Sequence, residues 1–168
     1  MEIKIRKYRD ADYAACVVLS RELAQHHADI YKVPSIVLKN QAKWLNDLIQ
    51  KNGFVGIWCA EVGGKVTGFT GLFSYGEEGE IEPVVVSSSF RNKGIGTQLI
   101  RRVVAEAKKR NIRYLSIRPT ARNKNALALF VRLGFNLVGH IDLFQDLLPA
   151  SDRKWKSGIT IHGHALRY

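Results

Sequence analysis

The apolar spacing changes twice within residues 80–117, and this change constrains the fold more than any other feature. Residues 80–86 are rich in β-branched side chains and are typical of a strand. From Gly94 the apolar side chains recur at helical spacing, at Ile95, Leu99, Ile100, Val103, Val104 and Ala107. Residues 114–117 are strand-like again. A strand, a helix and a strand in this order predict two parallel or splayed neighbours in one sheet.

Two helices are expected between a first strand and the middle of the chain. Ile3 and Ile5 alternate with charged residues and predict an edge strand. Asp10 is expected to cap the first helix, while Pro34 opens a second helix that ends at Asn52. The apolar positions of these helices are Tyr13, Cys16, Val17, Leu23, Ile36, Leu38, Trp44, Leu45, Leu48 and Ile49.

Three strands follow as a meander. Residues 54–61 and 65–75 are rich in β-branched and aromatic side chains and flank Gly63-Gly64, a short hairpin signal. A second loop at residues 76–79 leads into the strand of residues 80–86. Successive strands with short loops predict antiparallel pairing.

The C-terminal part predicts one more helix and two strands. Asn123 is expected to cap a helix that ends at Gly134. Residues 135–143 alternate apolar and polar as a long strand, and residues 159–166 are typical of a last strand. The order β-α-α-β-β-β-α-β-α-β-β predicts one α/β domain over residues 1–168, with a mixed, largely antiparallel central sheet and helices on both faces.

The net charge and the composition limit the classes of partner that the protein can be expected to bind. A net charge of +11, from 26 Lys+Arg against 15 Asp+Glu, favours nucleic acid, an anionic membrane or a phosphorylated small ligand. No run approaches the roughly 18 apolar residues of a membrane span, and the start lacks a secretory signal, so we expect a cytoplasmic protein without a membrane partner. Cys16 and Cys59 are too few for a disulfide framework and are expected as buried thiols.

The loop of residues 87–97 has the features of an anion site. A helix N-terminus presents unpaired N–H groups and partial positive charge, and Gly94 and Gly96 let an anion approach the backbone. Arg91 and Lys93 add charge. The loop predicts a nucleotide-containing ligand held by its diphosphate, with an ordinary strand-to-helix turn as the alternative.

Two better-known phosphate loops are excluded by spacing. A dinucleotide fingerprint needs a third glycine where Leu99 stands and an acidic residue after the next strand, which is missing. A P-loop needs a lysine after its glycine, whereas Lys93 precedes Gly94. The loop is therefore of a third kind.

The hexapeptide Arg91-Asn92-Lys93-Gly94-Ile95-Gly96 resembles the hallmark Arg/Gln-x-x-Gly-x-Gly/Ala of the GNAT superfamily of N-acetyltransferases. Asn123-x-x-Ala126 and Leu133-Gly134-Phe135 resemble the family's fourth helix and the entry to its sixth strand. The element order is also the family's. The resemblance implies acetyl-CoA as cosubstrate and transfer of its acetyl group to a primary amine by direct attack on the thioester.

The resemblance also implies where the coenzyme binds. Its pantetheine arm is expected on the backbone of Val84, Val85 and Val86. Its diphosphate is expected on the N–H groups of Arg91, Asn92, Lys93, Gly94, Ile95, Gly96 and Thr97. Asn123 matches a family residue that reaches the pantetheine arm, although a pure helix cap has the same sequence. Phe130 stands where the family places a tyrosine acid, so we expect it only as a pocket wall, with Tyr114, Tyr75 or solvent as the acid.

Glu80 and Glu82 are the candidates for the base that an ammonium substrate requires. Being two apart on a strand they share a face, and the family often places a carboxylate at one of these positions. Glu82 ranks first because it is closer to Val84; solvated carboxylates are the alternative. A backbone N–H of Val84 or Val85 would stabilise the oxyanion.

The acceptor, a small-molecule or a protein amine, is not specified by the motif. The acidic residues Glu77, Glu78, Glu80 and Glu82 would suit a cation, and His27, His162 or His164 would line an acceptor site. His26-His27-x-Asp29 and His162-x-His164 have spacings that could suit a metal, and the latter pair would share a strand face. Zinc needs at least three protein ligands and no third is suggested, so no metal is expected.

Two other functions stay open at this point. One is a coenzyme-binding GNAT-like sensor without catalysis, which Phe130 permits. The other is a nucleic-acid-binding module, against which the basic residues are spread along the chain without a recognisable motif. A homodimer is compatible with both.

Overall fold

The computed structural model describes residues 1–32, 40–145, 147 and 155–168. Its strands are β1 Lys4–Lys7, β2 Phe54–Val62, β3 Lys65–Tyr75, β4 Glu78–Val86, β5 Tyr114–Ile117, β6 Ser157–Ile161 and β7 His164–Arg167. Its α-helices are α1 Tyr13–Tyr31, α2 Gln41–Gln50, α3 Ile95–Lys109 and α4 Lys124–Arg132. Short 3-10 turns at Asp10–Asp12 and Ser88–Phe90 precede α1 and α3.

Five strands form the central sheet in the order β1-β2-β3-β4-β5. The first three pairings are antiparallel, whereas β4 and β5 run parallel because α3 connects them. The predicted mixed, largely antiparallel sheet is confirmed. Both hairpin residues Gly63 and Gly64 have positive φ, as a two-residue turn between β2 and β3 requires.

Helices cover both faces of the sheet, as predicted. Consecutive strand residues point to opposite faces, so neighbours such as Trp58 and Cys59 belong to different cores. The core under α3 and α4 is built from Trp58, Ala60, Leu72, Ile81, Ile95, Leu99, Ile100, Val103, Ala107, Ile112 and Phe130. The core under α1 and α2 contains Cys16, Leu19, Leu45, Leu48, Ile57, Cys59, Phe69, Phe73 and Val85. Both cysteines are free and buried thiols, as expected.

The helix starts agree with the sequence for α3 and α4 but not for α1. The Oδ1 atom of Asn123 accepts a hydrogen bond from the N–H of Ala126 at 3.1 Å, which confirms this cap. The first helix begins at Tyr13, so the predicted cap at Asp10 is wrong. Asn40 caps α2 by accepting from the N–H of Lys43 at 3.0 Å. The predicted opening of that helix at Pro34 lies outside the described residues.

The predicted strand over residues 135–143 is wrong, because this segment has no regular structure. The Leu137 and Leu143 side chains are 88% and 72% exposed, so the alternating pattern has no sheet to pack on. A strand needs a neighbour for its hydrogen bonds, and β5 is the edge of the sheet within the described ranges. The predicted last strand is instead the hairpin of β6 and β7, turning at His162 and Gly163 with φ of 48° and 82°.

Asp12 fastens β1 to the start of α1. Its carboxylate accepts from both terminal nitrogens of Arg6, at 2.7 and 2.8 Å, and from the N–H of Arg9 at 2.8 Å. The hydrogen bonds from Arg6 hold the pKa of Asp12 below its ordinary value, while this carboxylate and that of Glu61 raise the pKa of Arg6. The salt bridge is largely buried, with side chains 13% and 7% exposed.

Asp12→Asn is expected to lower the free energy of unfolding by about 2 kcal/mol at neutral pH, since hydrogen bonds to charged groups are lost. Because the pKa of Asp12 is lowered by folding, its contribution is full above the ordinary aspartate range and disappears as pH falls through the folded-state value. Urea unfolding of the parent protein and of Asp12→Asn, at pH 7 and at pH 3, measures the difference in the free energy of unfolding. Asp47→Asn, which breaks the exposed pair with Lys43, is the control and should cost less than about 0.5 kcal/mol. An equal loss at both pH values would contradict the prediction.

Candidate active site

The strands β4 and β5 separate after Ile81, which is the last residue of β4 paired with β5. Beyond it β4 keeps β3 on one side and has no strand on the other among the described residues. The N–H of Ser87 donates to the carbonyl of Thr67 in β3 at 2.9 Å. Because backbone groups alternate along a strand, those of Val85 also point to β3, and those of Val84 and Val86 point to the open side. The separation therefore exposes one edge of β4.

A bulge marks the point of separation. Thr70 pairs with Val84 and Leu72 with Ile81, so Glu82 and Pro83 together face Gly71. A side chain on Gly71 would collide with the carbonyl of Glu82, which explains why glycine stands there. The bulge places Glu82 at the mouth of the gap between β4 and β5.

The N-terminus of α3 lies directly after this open edge. The first helical hydrogen bond runs from the N–H of Gln98 to the carbonyl of Gly94 at 3.1 Å. The N–H groups of Ile95, Gly96 and Thr97 therefore lack acceptors within the helix, and no side chain caps this end. Three unpaired N–H groups and the helix dipole form a site suited to an anion.

The two motif glycines serve different purposes. Gly94 has φ of +83°, and a Cβ atom there would meet nothing within 4 Å, so it supplies backbone conformation beside open space. A Cβ atom on Gly96 would lie 3.4 Å from Leu129 Cδ2, at ordinary contact distance, so Gly96 stands where α3 packs against α4. Asn92 also adopts positive φ, at 60°. The Lys93 ammonium donates to the carbonyl of Ser89 at 2.9 Å and stays at the rim of the loop.

Glu80 and Glu82 lie on the face of β4 that packs towards α2, as their spacing predicts. The Lys51 ammonium at the end of α2 lies 2.7 Å from Oε2 of Glu82 and 4.0 Å from Oε2 of Glu80. Arg118 Nη1 lies 3.3 Å from Oε1 of Glu80. The hydrogen bond to Glu82 raises the pKa of Lys51, which therefore stays charged.

The two carboxylates differ in accessibility. Glu80 is 9% exposed and is held between two cations, whereas Glu82 is 39% exposed and its Oε1 atom has no hydrogen-bond partner among the described residues. Glu77 in the turn before β4 and Glu78 at the start of β4 are exposed and do not join this cluster. Sequence reasoning missed Lys51 and Arg118, since no local pattern relates them to glutamates that lie 31 and 38 positions away.

The alternative acids Tyr75 and Tyr114 lie on the strands that flank the start of β4. Both pair with Glu78 at the opposite end of β4, six residues and about 20 Å from Val84. The Tyr75 phenol is nevertheless among the groups that raise the pKa of Lys51, the partner of Glu82, so a role for either tyrosine as the acid stays a prediction. Phe130 is buried in the core under α3 and α4, with its ring centroid 6.5 Å from that of Phe135. Asn123 caps α4, and its proposed contact with a ligand stays a prediction.

The histidines do not form a metal site. Within residues 1–32, 40–145, 147 and 155–168, no three His, Cys, Asp or Glu side chains gather closely enough to hold an ion. His162 lies in the turn between β6 and β7, so it does not share a strand face with His164. Burial lowers the pKa of both His26 and His27 on α1. No described helix is long and apolar enough to cross a membrane.

Comparison with known proteins identifies the family. Residues 20–135 match the model of the Acetyltransferase (GNAT) family. A protein of Methanocaldococcus jannaschii described as an uncharacterized N-acetyltransferase is 34% identical over 104 residues, which are 58% of this chain and 46% of that protein. The match thus spans about half of that relative. An L-methionine sulfoximine/L-methionine sulfone acetyltransferase of Pseudomonas aeruginosa is 24% identical over 149 residues, 84% of each chain.

A solved structure shows the same fold. The PaiA N-acetyltransferase from Thermoplasma acidophilum, in complex with coenzyme A, has a TM-score of 0.67 at 18% identity, over 99% of this chain and 98% of that chain. Because the family model matches more than half of the chain, from α1 to the end of α4, the protein belongs to the GNAT family of acetyltransferases.

Proposed function

We propose that the protein transfers an acetyl group from acetyl-CoA to a primary amine. The observation that carries this proposal is the continuity of the open β4 edge with the uncapped N-terminus of α3. The backbone groups of Val84 and Val86 suit the amide groups of a pantetheine arm, which would pair like an added strand. The N–H groups of Ile95, Gly96 and Thr97 suit the diphosphate, with Arg91 and Lys93 supplying charge.

Glu82 is the proposed general base. Its Oε1 atom is available to take a proton from the incoming ammonium, while Lys51 holds its other oxygen at 2.7 Å. The amine nitrogen then attacks the thioester carbon, the C–S bond breaks, and the coenzyme leaves as a thiolate, which takes up the second proton that the nitrogen loses as the amide forms. The N–H of Val84 points to the open edge and is the better donor to the oxyanion, because that of Val85 points to β3.

The proposal is tested by an acetylation screen of the purified protein, read by release of free thiol. Amino acids and their analogues come first in the panel, because the Pseudomonas aeruginosa relative is named for such acceptors. Polyamines, aminoglycosides and peptides with a free N-terminus or lysine complete it. Turnover with any of these amines supports the proposal. Binding of acetyl-CoA without turnover on the whole panel would favour a coenzyme-binding sensor.

Phe130→Tyr is expected to change turnover by less than about 10-fold, although it restores the family's usual residue. A thiol has a pKa of about 8.5, so its thiolate leaves without much help from an acid. Phe130 packs against Phe135 in the core, where a new hydroxyl without a partner costs about 1–3 kcal/mol. Single-turnover rates at saturating acetyl-CoA measure the effect. A gain of about 100-fold would show that the chain lacks an acid it can use, and would favour the sensor.

A further inference from the structure

The helix α1 contacts the loop before α3 at two points one helical turn apart. The first is Glu22, whose Oε2 atom accepts from the N–H of Ser88 at 2.8 Å and whose Oε1 atom accepts from the Ser87 hydroxyl at 3.1 Å. These partners are 66 and 65 residues away in sequence. Glu22 therefore fastens the end of β4 and the start of the 3-10 turn to α1.

The second contact is His26, whose Nδ1 atom lies 3.4 Å from Nη1 of Arg91. Arginine only donates hydrogen bonds, so Nδ1 must be the acceptor and the ring proton must reside on Nε2. Burial, and then the charge of Arg91, lower the pKa of His26, which favours this neutral ring. Arg91 also donates from Nε to the carbonyl of Val86 at 3.3 Å. The guanidinium is thus held at two nitrogens and keeps Nη2 for another acceptor.

We infer that Glu22 and His26 are positioning residues that hold Ser88 and Arg91 in place for the diphosphate of the coenzyme. This inference rests on the proposed function. A loop that is already ordered loses less conformational freedom when a ligand binds, so residues that order it raise affinity without touching the ligand. Arg91 is the first residue of the hallmark hexapeptide, and its orientation depends on a histidine from another element.

The test compares acetyl-CoA with acetyl-pantetheine, which carries the thioester but lacks the nucleotide diphosphate. Glu22→Ala and His26→Leu are expected to raise the KM for acetyl-CoA by about 10-fold, the loss typical of one hydrogen bond to a charged group. The KM for acetyl-pantetheine should change by less than about 2-fold, because this probe does not use the loop. Glu22→Gln and His26→Asn keep an acceptor and should restore the KM for acetyl-CoA to within about 3-fold of the parent.

Gln25→Ala is the matched control, because Gln25 is exposed on the same helix and bonds only to Asp29 among the described residues. It should leave both KM values unchanged. An unchanged KM for acetyl-CoA in Glu22→Ala and His26→Leu overturns the inference. An equal rise in the KM for acetyl-pantetheine, or a lower KM for acetyl-CoA, also overturns it. Titration calorimetry of the parent and the variants with coenzyme A compares their affinities without turnover. It therefore separates this failure from that of the proposed function, in which the parent binds the coenzyme without turnover or does not bind it.

Discussion

Glu82→Gln is expected to lower turnover by about 100-fold at neutral pH and to leave acetyl-CoA binding unchanged. The amide keeps the size of the carboxylate but takes up no proton, and loss of a general base typically costs this factor or more. Raising the pH should recover much of the rate, because more of the amine is then neutral before it binds. Turnover is measured from pH 6 to pH 10 as the steady-state rate with an amine that the parent protein acetylates. Coenzyme binding is measured by calorimetry with coenzyme A.

Two further carboxylates of β4 provide the comparison. Glu78→Gln removes an exposed charge at the far end of the strand and should leave turnover unchanged. Glu80→Gln removes the buried partner of Lys51 and Arg118. Its main expected effect is therefore a lower free energy of unfolding rather than a lower turnover. Full activity of Glu82→Gln together with an inactive Glu80→Gln would show that the inner carboxylate is the base.

Gly94→Val is expected to abolish the stabilisation of the protein by acetyl-CoA. At 100 times its Kd, a ligand stabilises the native state by about 2.7 kcal/mol, which shows as a higher Tm. Gly94 has φ of +83°, which a β-branched residue adopts only with strain, and its side chain would enter the open space beside the helix N-terminus. The anion would then lose both the loop conformation and the room that it needs. Thermal unfolding with and without acetyl-CoA measures the shift.

Gly76→Val is the matched control for this variant. Gly76 has φ of +72° in the turn before β4, and a Cβ atom there also meets nothing within 4 Å. The substitution therefore introduces similar strain away from the α3 N-terminus, and the Tm shift with acetyl-CoA should remain. An undiminished shift in Gly94→Val would refute the assignment of the loop.

Most of the helices and strands that build the site could be predicted from local sequence patterns. The hairpin at Gly63-Gly64, the helix after Gly94 and the cap at Asn123 all depend on residues within a few positions of one another. The parallel pairing of β4 and β5 could also be predicted from the order of the elements, because a helix between two strands leaves few ways to connect them. The anion site could be predicted for the same reason, since a helix N-terminus and its glycines are contiguous.

Where a pattern needed a distant partner, the sequence was insufficient. Residues 135–143 alternate like a strand, but alternation records only which side chains would share a face, and no described strand lies beside them. Asp10 resembles a helix cap, but Asp10–Asp12 form a 3-10 turn and the α-helix begins only after it, where Asp12 bonds to Arg6 of β1. For residues 135–143, the lack of a neighbouring strand among the described residues decided the outcome.

The partners of the site residues came from the tertiary structure alone. Glu80 and Glu82 were identifiable as carboxylates on one strand face, but Lys51 reaches them from the end of α2. His26 reaches Arg91, 65 residues away, from α1. Contacts of this kind follow from how helices pack across the sheet, which no local spacing encodes. The sequence therefore specifies the backbone suited to an anion, and the packing of α1 and α2 decides which side chains contact Arg91 and the glutamates of β4.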